Sequence, residues 1–429
     1  MTRSDTGRRH VGRRSTGAAA AVLALAALTA AGCSSSSSSS SSAPASTGAS
    51  AAASASTGAS SSASGTPIAV GAMGSFTGAG AGSTADAKTV FQDWVDATNA
   101  AGGINGHPVQ ATIMDNQNTP SVAVANATKL VQQDHVKVIF DLSDDLESTW
   151  AKIVDTAQVP VLGQSEGATF GTDANFYPTG TTVEPLIWGE LKAANVAKVS
   201  KISGLYCAEI ASCAQTVPLI TALGKSVGVS LAYSASISST ASSYTAQCLG
   251  SKNAGANGVT VVAASEVALS VSASCATQGY KPVYVTTAGE MTTPWLAQSA
   301  LNGAIGNTQD VPWFDDSTPA TKAMQAAISQ YSPSVLTSAS YGATATIGWA
   351  AGTVFATLAK TAGLTPSSSQ AQIVAALDTV KNETFGGITP PLTFTAGKPA
   401  QVACSFVAGI SDGKWTEPIG LKTICMPGM

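Results

Sequence analysis

Three groups of residues in this chain have the types and spacing of chemistry. Gly163-Gln164-Ser165-Glu166-Gly167 satisfies GxSxG directly after an apolar run, the context that presents a serine nucleophile on a strand-to-helix turn. Such a serine needs a histidine base later in the chain. No histidine follows His135, so a Ser-His-Asp triad in that order cannot be built, and an exported serine hydrolase using Ser165 is only the minor alternative. Gly80-Ala81-Gly82-Ser83-Thr84-Ala85 matches GxGxxA, the turn on which dinucleotide enzymes seat a pyrophosphate. The acid expected about 20 residues further on would fall in the Gly102 to Gly106 turn, which has none. The third group is Cys207, Cys213, Cys248, Cys275, Cys404 and Cys425. None sits in a CxxC pair, and the only histidines beyond the leader, His107 and His135, are distant in sequence from all of them, so disulfides are expected rather than a metal site. Six cysteines permit fifteen full pairings. The sequence-local set, Cys207 with Cys213, Cys248 with Cys275 and Cys404 with Cys425, is the preferred one. The chain reads as a non-enzyme with no cofactor.

A seventh cysteine has a different setting. Arg3, Arg8, Arg9, Arg13 and Arg14 lead into an apolar run from Ala18 to Ala31, too short to span a bilayer comfortably and shaped like the h-region of a signal peptide. LTAAGC, Leu28 to Cys33, resembles a bacterial lipobox with Ala30 where leucine is usual. The expectation is a lipoprotein signal peptide over 1–33, lipidation at Cys33, and anchoring to the outer face of the cell membrane. The alternative is an ordinary secreted protein whose cysteine falls there by chance.

Every arginine of the chain lies in that leader. The 21 basic residues less these five leave 16 lysines, and the 25 acids less Asp5 leave 24, so the remainder carries a net charge near −8. With no basic patch there is no counterion-release term to drive nucleic-acid binding, and with no guanidinium there is no bidentate clamp for phosphate or a dicarboxylate. No later run reaches the ~18 apolar residues a membrane span needs.

The elements that must position any site begin after a spacer. Residues 34–66 are almost wholly serine, alanine, threonine and glycine, with ASTGAS twice, and bury too little to offset their ordering entropy. IAVGAMG at Ile68 then reads as a strand, and Ala87, Val90, Phe91, Trp94 and Val95 recur at helical spacing until GGING stops the helix. VQATIMD, VKVIFDL from Val136 and VPVL from Val159 read as further strands, separated by helices around Val122 to Gln133 and Ser148 to Ala157. The alternation restarts after Pro185 with strands at VSKISGLY, VTVVAA and PVYVTT. Two helical stretches follow between Ala320 and Gly363, and then a β-rich end. Buried strands alternating with helices predict α/β lobes with open parallel sheets.

The stretch from Ile68 to Phe140 resembles the opening of the branched-chain amino acid (leucine/isoleucine/valine) binding-protein family, solute receptors of ABC importers with a type I periplasmic-binding-protein-like fold. Its marks are SFTG at Ser75 to Gly78, NAAGGINGHPV at Asn99 to Val109, and Asp115-Asn116; weaker echoes run on to LTFTAGK. The resemblance implies two Rossmann-like lobes, 67–184 with 314–389 and 185–313 with 390–429. Three hinge crossovers near Thr181 to Pro185, Val311 to Asp316 and Thr389 to Pro391 would join them. It also implies a small amino-acid-like, amide or carboxylate ligand in the cleft and an ABC permease as partner. A ligand-sensing surface module without an importer is the alternative. By position, the ligand's polar head maps to Ser75, Phe76 and Thr77, to Ser143 and Asp144, and to Ser165, Glu166 and Gly167. The second lobe would contribute Tyr206, Ser265, Glu266, Thr287 and Glu290, with Glu290 on the ammonium. Trp150, Trp295 and Trp313 are either pocket lining or core.

Overall fold

A computed structural model describes residues 63–78, 81–164, 166–209 and 211–429 of the chain. Residues 1–62, with Cys33 and the segments expected as signal peptide and spacer, lie outside the described residues, as do Gly80 and Ser165.

Five parallel strands form the first sheet: β1 (Ile68–Gly74), β2 (Val109–Asp115), β3 (Ile139–Leu142), β4 (Val161–Gln164) and β5 (Phe176–Pro178), in the order β2-β1-β3-β4-β5. β1, β3 and β4 are buried along nearly their whole length because helices cover both faces. Phe91 and Trp94 of the helix Ala87–Ala100 pack on Phe140 from one side, joined by Phe355 of the helix Ile347–Thr361. Gly352 of that helix lets Trp94 in, since a Cβ there would stand 2.3 Å from the indole. On the other side Trp150 meets Phe176 with ring centroids 5.4 Å apart. Trp150, Trp295 and Trp313 are all fully buried, so the core reading of these tryptophans holds.

The second sheet repeats the order. β6 (Lys201–Cys207), β7 (Ser230–Ile237), β8 (Gly258–Val262), β9 (Val283–Thr287) and β10 (Ile305–Thr308) run parallel as β7-β6-β8-β9-β10. A short hairpin, β11 (Lys381–Glu383) with β12 (Leu392–Thr393), precedes the last three strands. β13 (Cys404–Ser411) then adds antiparallel to β10, with β14 (Lys414–Thr416) and β15 (Ile424–Cys425) paired to β13. Sequence periodicity passed over β7, whose SLAYSASI is an edge strand exposed at alternate positions and built of small residues. It also passed over the helices Thr245–Asn253, Ser265–Thr277 and Gln370–Leu377, in which alanine and serine leave little apolar contrast.

Segments that link the two sheets meet one another. Thr181 N donates to Gln309 O at 3.2 Å and Gln309 Nε2 returns a bond to Thr181 O at 2.8 Å. Thr181 Oγ1 reaches Cys404 O at 2.6 Å, and Val311 N reaches Ile388 O at 2.9 Å. The crossing segments are therefore bonded to one another.

The sequence-local disulfides are the ones found: Cys207–Cys213, Cys248–Cys275 and Cys404–Cys425. Cys248–Cys275 ties the helix Thr245–Asn253 to the helix Ser265–Thr277 across a separation of 27 residues. A loop of that length removes enough unfolded-chain entropy that replacing both cysteines by alanine should cost about 3 kcal/mol. Urea denaturation checks this, and an unchanged midpoint would mean that the bond does not form.

Candidate functional site

The carboxyl ends of β4, β9 and β10 face a cleft between the two sheets. Gln164, Glu166, Leu186, Thr287, Gly289, Asn307, Gln309, Asp310, Ala343, Thr344 and Ile347 line it, around a void of about 10 Å³. That is room for about one water molecule, so the walls are closed on one another.

The walls meet through a hydroxyl. Thr287, the last residue of β9, has its Oγ1 2.7 Å from Glu166 Oε1 and 3.0 Å from Glu290 Oε2. Thr286 Oγ1 also contacts Glu290 Oε2 and lies 2.7 Å from Thr287 O. A threonine hydroxyl has one proton to donate, so Thr287 can bond both carboxyl groups only if one of them is protonated. Their environment favours that. Burial raises Glu166 to about 7, helped by the charge of Asp145 and opposed by the Thr287 hydrogen bond. Burial raises Glu290 well above the usual carboxylate range, and the charges of Glu166 and Glu190 push the same way.

Two further acids share the region. Glu190, on the helix Val183–Val196, is raised to about 8 by burial, against a hydrogen bond from Thr260 and with the charge of Glu166 adding to the shift. Asp310, just past β10, is raised to about 8 by burial, opposed by Gln164. No lysine or arginine lines the cleft. Among the described residues the single ion pair is Lys129 with Asp134, at a helix end. Two ionised carboxylates ~5 Å apart would repel by about 3 kcal/mol at an effective dielectric near 20, a cost that protons or a ligand cation remove.

Of the residues mapped from sequence, Glu166, Thr287 and Glu290 come together here. Gly167 follows in the turn after Glu166, and Ser165 is outside the described residues. The others are engaged elsewhere. Ser75 Oγ donates to Asp144 Oδ1 at 3.1 Å, and Trp150 Nε1 donates to Asp144 Oδ2, also at 3.1 Å, so this pair braces the loop after β1 against the loop after β3. Phe76 is buried in the core, while the Thr77 hydroxyl and the Phe76 and Thr77 amides bond the Asp115 carboxylate. Ser143 takes φ 66° in its turn. Tyr206 lies on β6 beside Cys207. Ser265 Oγ sits 2.6 Å from Thr292 Oγ1 and accepts from Trp295 Nε1 at 2.9 Å. Glu266 is exposed and turned toward Gly82, where a Cβ would stand 2.3 Å from its Oε2.

Among the described residues no histidine stands at the carboxyl end of β4, where the GxSxG motif begins. His107 bonds Thr66 O, and His135 sits in the turn before β3. Both lie at the amino ends of parallel strands, the edge opposite Gln164. The GxGxxA segment contributes a single helical turn, Ala81–Thr84, against which Thr344 packs by bonding Ser83 O.

A sequence model of the family described as periplasmic binding protein matches residues 67–414. The chain belongs to the periplasmic binding protein family. No curated protein matches it by sequence. Solved structures share the fold at low identity. A branched-chain amino acid ABC transporter protein from Thermus thermophilus with bound valine superposes with TM-score 0.73 at 12% identity, covering 84% of this chain and 97% of that one. A fatty acid ABC transporter substrate-binding protein from Thermomonospora curvata gives 0.70 at 17% identity, over 84% and 93%. A possible leucine/isoleucine/valine-binding protein from Rhodopirellula baltica gives 0.68 at 14%, over 84% and 97%.

Sequence reasoning about this periplasmic binding protein missed Gln164, Asn307, Gln309 and Asp310 as cleft residues, and Glu190 as a buried neighbour of Glu166. One signal was present in the sequence. Glu190 interrupts the apolar run LIWGEL, and Asn307-Thr308-Gln309-Asp310 puts polar residues at the end of a buried strand.

Proposed function

We propose that this protein is an extracytoplasmic solute receptor of an ABC importer, lipid-anchored through Cys33, that closes on a small ammonium-bearing, amino-acid-like ligand. Residues 67–184 with 314–389 would form one lobe and 185–313 with 390–429 the other, opening about the three crossings. The observation that carries this reading is the Glu166–Thr287–Glu290 bridge across the closed cleft, with no cation of the protein's own. Importer partnership is supported by the ABC transporter proteins that share the fold, one of them with valine bound. A ligand with only a carboxylate has no lysine or arginine to meet on these walls. The carboxylate alternative is therefore disfavoured.

Thermal unfolding with a panel of amino acids and amino-acid amides tests the reading. A ligand at 100 times its Kd stabilises by about 2.7 kcal/mol. At least one panel member should raise Tm at pH 8, and Glu290→Gln should weaken it about 10- to 100-fold, the worth of a charged hydrogen bond. A panel without effect would count against a small-molecule receptor.

A further inference from the structure

We propose that the ligand carries two separated cationic groups, one for the Glu166 and Glu290 side of the cleft and one for Asp310. Diamines and dibasic amino-acid amides are the class it fits. The inference rests on the receptor reading above and narrows its ligand.

The cleft has two acidic poles. At one, Glu166 and Glu290 share Thr287, with Glu190 close enough to act on both. At the other, Asp310 is 2% exposed and its Oδ2 has no hydrogen-bond partner. Between them the wall offers acceptors. Gln164 and Asn307 are 1% and 0% exposed, and Asn307 Oδ1 and both Gln164 Oε1 and Nε2 have no partner, so acceptors outnumber donors. The orientation of Asn307 is fixed, since its Nδ2 donates to Leu186 O at 2.9 Å and Ser405 Oγ at 3.2 Å, leaving the carbonyl oxygen as the end that needs a donor. Buried acceptors left unpaired are costly, and an ammonium supplies three donors and no acceptor.

One cation does not complete this site. It would neutralise one pole and leave the other acid buried without a partner. A ligand carboxylate would find Gln164 Nε2 as a free donor but no hydroxyl, since the Thr344 hydroxyl is committed to Ser83 O and the Thr287 hydroxyl to the glutamates. Nor are the acids grouped for a metal ion, because among the described residues no three His, Cys, Asp or Glu side chains gather closely enough to hold one. Acids dispersed along one cleft match an extended organic cation. Gly180 keeps the middle of the wall polar and close, since a Cβ there would stand 1.6 Å from Gln164 Oε1 and 2.8 Å from Gln309 Cβ.

The test is thermal unfolding and calorimetric titration of the full chain at pH 8 with 1,3-diaminopropane, 1,4-diaminobutane, 1,5-diaminopentane and lysine amide, against butylamine and valine. One of the dications should raise Tm by about 5 °C or more at millimolar concentration while butylamine barely moves it. Asp310→Asn should cut the affinity for that dication at least about 10-fold, the loss of one charged hydrogen bond. If valine stabilises and no dication exceeds butylamine, the two-cation proposal fails and the receptor reading stands. If no amine or amino acid stabilises, both fail. A dication whose affinity survives Asp310→Asn would overturn the second pole.

Discussion

Between pH 5 and pH 8 the ligand-free protein should lose stability steadily, because the folded state holds more protons than the unfolded chain. Asp141, which burial raises well above its usual range, contributes to this, and so do four acids around the cleft: Glu166, raised to about 7, Glu190 and Asp310, each raised to about 8, and Glu290, raised well above its usual range. All five are acids whose folded pKa lies above the unfolded value. Their contribution is therefore fully present below about pH 4 and is lost as pH rises through 7 and 8. Asp115 acts in the opposite sense. Its pKa is lowered despite the opposing effect of burial, because the Thr77 hydroxyl and the Gln117, Phe76 and Thr77 amides bond the carboxylate, so its contribution is lost only in acid. Urea denaturation from pH 5 to pH 8.5 measures the slope. A flat profile would mean that the cleft carboxyl groups are hydrated, and a rising one would contradict their burial. Glu190→Gln, which keeps the shape and a bond to Thr260, should stabilise the protein at pH 8 and reduce the slope.

Gln164→Lys should act as a built-in ligand. The residue is 1% exposed, lies against Asp310 and lines the same cavity as Glu166. Lysine at an ordinary buried site is destabilising, because desolvating its charge has no return. Here the charge would meet carboxylates that have no cation. Leaving a buried ion without its partner typically costs 3–5 kcal/mol, so supplying the partner should gain about 3 kcal/mol at pH 8, and less at pH 6, where protons already do the work. The same variant should lose its response to any ligand that stabilises the parent protein. Thermal unfolding at both pH values reads the outcome, and a Gln164→Lys protein less stable than the parent at pH 8 would contradict a cation-deficient cleft.

Much of the fold was legible in the chain because its signals are local. IAVGAMG and PVYVTT are apolar runs that a covered strand explains, and Val90, Phe91 and Trp94 recur at the spacing of one helix face. Where alanine and serine dominate, as in β7 and the helix Ser265–Thr277, the contrast fades and so did the reading. The site was harder. Mapping by position brought in Glu166, Thr287 and Glu290, which meet, together with Ser75, Asp144 and Ser265, whose hydrogen bonds are spent on Asn118, Trp150 and Thr292. A serine that braces a loop and one that holds a ligand look alike in sequence, because the difference lies in which group stands opposite.

The sequence by itself determined the parallel α/β character, the even set of six cysteines expected to pair, and the confinement of arginine to residues 3–14. Each of these depends on residue type and short-range spacing. Only the tertiary structure decided that Glu166 and Asp310, 144 positions apart in the numbering, line one closed cleft, with Glu290 bonded to the same Thr287 as Glu166 and Glu190 near both glutamates. Burial and the mutual field of charges depend on distance in space. No window along the chain contains them.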